Sequence, residues 1–217
     1  MALQRLKVAV IPVTPFSQNC SVVCHQPSKT AVVVDPGGDV PRILEAVKRL
    51  DVTVKAIWLT HGHIDHAGGA AELKDVLGGV PVEGPDIRDK FLLDTLRENG
   101  RRVEILNARA VTPDRGLREG DTLQLADLTF SILHCPGHTP GSLVYFNADN
   151  RFALVGDVLF SGSIGRTDFP YGDQDALISA IREKLFPLGD DVTFLCGHGP
   201  AGTFGEERAS NPFAGGV

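Results

Sequence analysis

The sequence predicts an α+β fold in which two β-sheets pack against each other and helices cover their outer faces. Short segments rich in Val and Ile, bounded by Pro, Ser and Gly, indicate strands. Segments with apolar residues three and four positions apart indicate helices. They follow the order strands, helix, strands, helix, which is expected for two packed sheets with outer helices. No linker-like stretch interrupts the 217 residues, so we expect a single domain over residues 1–217.

The first half begins with strands and continues into strand–helix units. The helix that follows the turn Asp35-Pro36-Gly37-Gly38 is indicated by Ile43, Val47 and Leu50 on one face. The next strand is short and buried, and it ends at Thr60-His61. The predicted strands are residues 6–13, 20–25, 31–34 and 54–59, and the predicted helices are residues 40–50 and about 65–77.

The second half repeats this arrangement after a less regular middle section. A helix is predicted over residues 87–98, and the Arg-rich residues that follow it, up to residue 120, are expected to form surface loops. Further strands are predicted at residues 128–133, 142–146, 152–155 and 192–196, with a helix over residues 174–185.

Composition excludes several classes of protein. With 42% hydrophobic and 22% charged residues, the chain is typical of a globular protein. The net charge of −6 and the scattered basic residues disfavour a nucleic-acid partner. Neither a targeting segment nor an apolar stretch of the roughly 18 residues needed to span a membrane is visible. We therefore expect a cytoplasmic protein without a membrane partner and with free thiols; its oligomeric state is left open.

The strongest motif is Thr60-His61-Gly62-His63-Ile64-Asp65-His66, between a predicted strand and a predicted helix. Alternate residues of an extended loop point the same way, so His61 and His63 can bind one ion. Asp65 and His66, from the first turn of the helix, can face a second ion. Imidazole nitrogens and carboxylate oxygens suit zinc and similar metals.

Three further candidate ligands each follow a predicted strand, in a glycine-containing turn. They are His138 in Pro136-Gly137-His138, Asp157 in Gly156-Asp157, and His198 in Gly197-His198-Gly199. Loops at strand ends are where a rigid scaffold presents functional groups. Together with residues 61–66, these positions predict a metal centre.

This series of residues resembles the metal ligands of the metallo-β-lactamase superfamily. The sequence is most similar to the short, YcbL-type members of the glyoxalase II (hydroxyacylglutathione hydrolase) group. The similar stretches are Asn19-Cys20 and residues 34–37, 59–69, 136–142, 156–170 and 197–213. The resemblance implies a four-layer αββα sandwich with two divalent metal ions in a groove at one edge.

The resemblance also implies how the ligands divide. His61, His63 and His138 would bind the first metal, and Asp65, His66 and His198 the second, with Asp157 bridging both. Asp65 and Asp157 are the expected catalytic residues. An anion between two cations offsets their repulsion, which favours this division. Zinc is the expected metal, and iron and manganese also accept such ligands.

The implied activity is hydrolysis of S-lactoylglutathione or a similar small-molecule thioester. Two metals can hold a bridging hydroxide near neutral pH, which would attack the acyl carbonyl. A thiolate leaves readily because the pKa of a thiol is only about 8.5. Full-length glyoxalase II proteins continue into a helical C-terminal domain that helps bind glutathione, whereas this sequence ends at Val217, so glutathione recognition is left open.

Other activities use nearly the same ligands. A persulfide dioxygenase with a single iron is the main alternative, and a lactonase is another. A β-lactamase is disfavoured because no export signal is visible and no Cys replaces Asp157. A tRNA-processing nuclease is disfavoured by the negative charge, and a non-enzymatic metal-binding protein by the presence of every ligand.

Several residues near these motifs have two interpretations. Asp35 either orients a ligand imidazole or only forms a turn. Arg166 and Tyr171 are either substrate contacts or structural residues. Cys196, two residues before His198, is either an oxidisable thiol or a buried inert one. The remaining histidines, His25 and His134, are expected to be structural or solvated.

Overall fold

The first β-sheet is built from the N-terminal part of the chain in the computed structural model, which describes residues 5–216. Its strand order is β1-β2-β3-β4-β5. The first three strands pair antiparallel, and β3, β4 and β5 run parallel. The strands are β1 (Leu6–Val13), β2 (Gln18–His25), β3 (Thr30–Val34), β4 (Thr53–Trp58) and β5 (Val82–Glu83).

The second sheet has six strands. A separate two-stranded ribbon is formed by residues that lie between two of these strands in the sequence. The six are β6 (Thr122–Leu125), β7 (Leu128–His134), β8 (Leu143–Asn147), β9 (Phe152–Gly156), β12 (Thr193–Cys196) and β13 (Gly202–Thr203). The ribbon consists of β10 (Leu159–Phe160) and β11 (Ser163–Ile164). In the six-stranded sheet the order is β13-β12-β9-β8-β7-β6, and β12 runs parallel to β9.

Seven α-helices connect or flank the strands. They are α1 (Val40–Leu50), α2 (Ile64–Ala67), α3 (Ala70–Val76), α4 (Lys90–Asp94), α5 (Leu96–Arg102), α6 (Gln174–Ala180) and α7 (Phe204–Ser210) among the residues 5–216 that are described. A 3₁₀ turn at Ile87–Asp89 precedes α4. After α6 the chain continues as a π-helical turn at Ile181–Leu185 and a 3₁₀ turn at Phe186–Leu188.

The core consists of three apolar layers. Because strand residues alternate between the two faces of a sheet, Ala31 and Val33 of β3 pack toward α1, whereas Val32 and Val34 face the second sheet. Between the sheets, the ring of Trp58 packs edge-on against Phe130 and Tyr145, with centroid separations of 5.2 and 5.8 Å. A third layer lies between the second sheet and α6 and α7. The layer sequence is helix, sheet, sheet, helix, so the predicted αββα sandwich is confirmed.

The predicted elements differ from the structure mainly in their ends and continuity. The helix predicted over residues 65–77 is two helices, α2 and α3. A Cβ atom on Gly69 would lie 2.7 Å from the carbonyl oxygen of Pro36, so the backbones there are too close for a larger residue. The segment predicted as a helix over residues 87–98 is a 3₁₀ turn followed by α4 and α5, and helical structure continues to Arg102, so the predicted surface loop begins later than expected. Helix α7 and the short strands β5, β6, β10, β11 and β13 were not predicted.

Among the described residues, every helix is too short or too polar to cross a membrane.

Candidate metal centre

Four strand ends meet at one edge of the sandwich and carry the candidate ligands. The segment Thr60–His66 follows β4 of the first sheet, and His138 lies in the turn between β7 and β8 of the second. Asp157 and His198 follow β9 and β12, which are hydrogen-bonded neighbours with Gly156 opposite Cys196. The parallel direction of these two strands places their carboxyl ends, and the residues after them, at the same edge.

The first group of candidate ligands is three imidazoles. The Nδ1 atom of His63 lies 2.9 Å from Nε2 of His138 and 3.2 Å from Nε2 of His61. These three nitrogens lie within 4.8 Å of one another. Burial holds the pKa of His61 well below its usual value and lowers that of His63 to about 3, and it also lowers that of His138. Neutral rings of this kind present lone pairs to a common point.

The second group consists of Asp65, His66 and His198, whose ligand atoms also lie within 4.8 Å of one another. The Nε2 atom of His198 is 3.1 Å from Oδ2 of Asp65, and that of His66 is 3.8 Å from the same oxygen. Burial alone would lower the pKa of His66, but the carboxylates of Asp157 and Asp65 raise it well above its usual value. The second group therefore differs from the first in holding a carboxylate beside its two imidazoles.

Asp157 lies between the two groups. Its Oδ1 is 3.3 Å from Nε2 of His66, and its Oδ2 is 3.5 Å from Nε2 of His138 and 3.6 Å from Nε2 of His198. Burial alone would raise the pKa of Asp157, but the neighbouring His66 holds it well below its usual value. The structure thus brings all seven sequence-predicted ligands together, with one carboxylate facing both groups.

The donor set fits divalent cations. Nε2 of His66 and Oδ1 of Asp157 are buried, and neither has a hydrogen-bond partner among the described residues. Buried polar atoms are normally paired, so two such atoms facing each other are unusual. Nitrogen lone pairs that converge at about 3 Å, next to two carboxylates, form the kind of site that a metal ion occupies.

The far side of each buried imidazole is also held. Nδ1 of His66 lies 2.9 Å from Oδ2 of Asp35. The hydroxyl of Thr60 donates to the same oxygen, and the backbone N–H of Thr60 donates to Oδ1 of Asp35. Of the two interpretations of Asp35, the structure supports the orienting one. Nδ1 of His61 lies 3.1 Å from the hydroxyl of Thr60. These contacts fix which ring nitrogen faces the centre.

The loop after β11 supplies the partners of the other two rings. The hydroxyl of Tyr171 lies 2.9 Å from Nε2 of His63, and the carbonyl oxygen of Arg166 lies 2.8 Å from Nδ1 of His138. The guanidinium of Arg166 pairs with Asp168 at 3.0 Å and covers the ring of Phe169 at 4.9 Å. Arg166 and Tyr171, the two candidate substrate contacts of the sequence analysis, therefore each hold a ligand imidazole. Both residues also line the groove above the centre.

Asp89 is a functional residue that the sequence analysis missed. Its buried carboxylate accepts hydrogen bonds from the N–H groups of Gly62 (2.8 Å) and Gly141 (2.6 Å) and from the hydroxyl of Thr139 (2.8 Å). Gly62 separates two ligands and Thr139 follows a third, so Asp89 ties together the two loops that carry the first group. Burial raises the pKa of Asp89 to about 6. No local pattern marks it, because its partners come from distant parts of the chain.

The other residues with open interpretations lie outside the centre. His25 is buried near Ser28 and Asp127, and His134 lies 2.8 Å from the carbonyl oxygen of Pro140. Neither belongs to a candidate ligand group. The thiol of Cys196 is buried and donates to the carbonyl of His198, and burial raises its pKa to about 11. This favours the inert interpretation.

A profile of the metallo-β-lactamase superfamily matches residues 13–198. The chain belongs to this superfamily. It is a metal-dependent hydrolase, in agreement with its His and Asp groups. Hydroxyacylglutathione hydrolase GloC of Haemophilus influenzae is 46% identical over 209 residues, covering 96% of this chain and 98% of that protein. This confirms the resemblance to the glyoxalase II group.

Two solved structures are similar over nearly their whole length. The B3 metallo-β-lactamase BLEG-1 superposes with a TM-score of 0.88 and 35% identity, covering 97% of this chain and 100% of that one. TTHA1623 in a di-iron-bound form has a TM-score of 0.83 and 31% identity, covering 94% of this chain and 99% of that one. One of these similar structures is thus a β-lactamase, and the other holds two iron ions.

Proposed function

We propose that the protein is a binuclear, glyoxalase II-like thioesterase that hydrolyses S-lactoylglutathione or a similar small-molecule thioester. The observation that carries the choice of substrate is the 46% identity to hydroxyacylglutathione hydrolase GloC over almost the full length of both proteins. The position of Asp157 between two groups of three ligands supports a centre with two metal ions.

The proposed ligands are those predicted from the sequence. His61, His63 and His138 would hold one ion, and Asp65, His66 and His198 the other, with Asp157 shared. When bound, divalent ions supply Lewis acidity and bring the pKa of water toward neutrality. Zinc is our first choice, with iron and manganese as alternatives, because all three accept nitrogen and oxygen ligands.

The chain's own residues determine the rest of the chemistry. No serine or cysteine side chain lines the groove among the described residues, and the hydroxyl of Thr95 donates to the carbonyl oxygen of Phe91, so we take water as the nucleophile. Asp65 and Asp157, the proposed catalytic residues, both line the groove. Asp65 can accept a proton from water there, whereas Asp157 holds the two ligand groups in one arrangement. A thiolate leaving group, with a thiol pKa of about 8.5, needs no separate acid.

The test is a parallel assay on one protein sample. Hydrolysis of S-lactoylglutathione, a simple acyl thioester, a lactone and a β-lactam is measured together with metal content and oxygen uptake. We expect thioesters to be hydrolysed fastest, with close to two metals per chain and no oxygen consumption. One iron per chain with oxygen uptake on a persulfide would instead identify a dioxygenase, and preference for the lactone would identify a lactonase.

A further inference from the structure

The groove above the metal centre is lined by aromatic rings on both sides. It has a volume of about 840 Å³. On one side, the ring of Phe160 lies 6.3 Å from that of His198. On the other side, the ring of Phe169 lies 5.0 Å from that of His63. A substrate carbonyl held at the centre is therefore flanked by apolar surface.

On the His63 side the rings form a continuous row, which we call the aromatic row: Phe169, Tyr171 and Phe91. Phe169 and Tyr171 are stacked, with centroids 5.4 Å apart, and Phe91 packs edge-on against Tyr171 at 5.2 Å. The row leads from the metal centre to the mouth of the groove, where Phe91 is 43% exposed. Phe16, 46% exposed, lines the same groove.

The aromatic row is held rigidly. Phe169 lies between Tyr171 and the guanidinium of Arg166, and Tyr171 is fixed by its hydrogen bond to His63. Phe91 lies two residues after Asp89, whose three buried hydrogen bonds anchor the start of this segment. Large apolar side chains left exposed in a concave, preorganised site are typical of ligand-binding surfaces.

The cations of the groove are already neutralised by their own neighbours. Arg166 pairs with Asp168 at 3.0 Å, and Arg102 pairs with Glu98 one helical turn earlier. The outer part of the groove therefore presents apolar surface to a ligand, because both of these arginines are already paired with carboxylates.

We propose that the aromatic row is a subsite for a large apolar arm of the thioester, so that the preferred substrates carry an aliphatic or aromatic arm of several carbons. This inference rests on the proposed function, because it places the thioester carbonyl at the metal centre. The three rings follow one another at centroid separations of 5.4 and 5.2 Å, so an acyl group as small as lactoyl is shorter than the row. The arm belongs either to the acyl group or to the thiol, and the two cases have the same chemistry at the row.

The test uses two series of thioesters with the metal-loaded protein. In one, the acyl group grows from acetyl to octanoyl and phenylacetyl on a fixed small thiol; in the other, the thiol grows in the same way on a fixed acetyl group. We expect kcat/KM to rise about two- to fourfold per added methylene in one of the series, as partial to full burial of a CH₂ group predicts. Flat profiles in both series would overturn the proposal.

Phe91 can be tested against a matched control on the same segment. We expect Phe91→Ala to lower the ratio of kcat/KM between octanoyl and acetyl arms, or their thiol equivalents, roughly tenfold. Ile87→Ala removes a side chain that is 71% exposed but does not line the groove, and should leave the ratio unchanged. An unchanged ratio in Phe91→Ala, or an equal fall in Ile87→Ala, would refute the assignment of the subsite.

A binding measurement separates this inference from the proposed function. Thioethers carrying the same arms cannot be hydrolysed, and their affinity is measured by calorimetry. If no thioester is hydrolysed but thioether affinity rises with arm length and falls in Phe91→Ala, the subsite stands and the thioesterase proposal fails. If thioesters are hydrolysed but thioether affinity does not depend on the arm, the thioesterase proposal stands and the subsite fails.

Discussion

Replacing Asp89 by alanine removes a buried side chain that bonds to both loops carrying the first group of ligands. Its carboxylate accepts hydrogen bonds from Gly62, Thr139 and Gly141, all in a buried environment. In Asp89→Ala these three donors lose their acceptor, while the side chains of His61, His63 and His138 are unchanged. The two loops then lose these three hydrogen bonds, while the backbone hydrogen bond from Leu143 to Thr60 remains.

Two opposing effects decide the change in stability. Each buried donor left without a partner costs about 1–3 kcal/mol. Removing the buried charge offsets part of this: burial raises the pKa of Asp89 from 3.8 to about 6, a shift of roughly two units worth about 3 kcal/mol at pH 7. The three donors outweigh the charge. We expect a net loss of roughly 3 kcal/mol, which for a chain of this size lowers Tm by about 6–12 °C.

The difference between the two proteins should also depend on pH. Because the folded-state pKa of Asp89 is raised, the folded wild type binds more protons than the unfolded chain between about pH 4 and pH 6. Its stability therefore gains a contribution as pH falls through 6, and Asp89→Ala lacks that contribution. The gap in unfolding free energy between wild type and variant should widen by about 2 kcal/mol from pH 7 to pH 4.5.

The assay combines urea unfolding of the metal-free proteins with chelator competition for metal binding. We expect the affinity for one of the two metal equivalents to fall roughly 10–100-fold, the usual effect of losing a residue that orients metal ligands. Asp86→Ala is the matched control: this buried carboxylate accepts from the N–H of Arg88, and among the described residues no hydrogen bond joins its side chain to either ligand loop, so metal affinity should not change. Wild-type stability and metal affinity in Asp89→Ala would refute the reasoning.

Three further predictions concern the metal centre. Asp157→Asn should stay folded, lose at least part of one metal, and hydrolyse thioesters orders of magnitude more slowly, as metal analysis and kinetics on one sample will show; two bound metals with normal activity would contradict the shared role. Tyr171→Phe, which removes the hydrogen bond to His63, should weaken metal binding roughly tenfold in chelator competition, whereas Phe16→Leu, outside the ligand contacts, should not. Chelation by EDTA should abolish hydrolysis and lower Tm, and added Zn²⁺ should restore both; activity that survives complete metal removal would rule out a metal-dependent reaction.

Sequence patterns located the candidate ligands because their signals are local. The residues from His61 to His66 lie within one loop, and His138, Asp157 and His198 each follow a strand and a glycine. The fold could be predicted for a similar reason, since a continuous run of apolar residues marks β3 and helical spacing marks α1.

The contacts that organise the centre could not be predicted, because they join distant parts of the chain. Asp89 meets Thr139 and Gly141 from about fifty residues away, and Tyr171 meets His63 across 108 residues. The break between α2 and α3 likewise depends on the close approach of Gly69 to Pro36. Periodicity reports which face of an element is buried, and it carries no information about which distant backbone lies against that face.

The division of the candidate ligands between the two sheets has a consequence for how the protein matures during synthesis. His61, His63, Asp65 and His66 are made early, but His138 completes the first group only after the second sheet has begun, and His198 completes the second group near the end. A nascent chain that has produced only the first sheet offers two of the three residues of each group. Complete metal loading of both groups therefore cannot precede the docking of β9 and β12 against the first sheet.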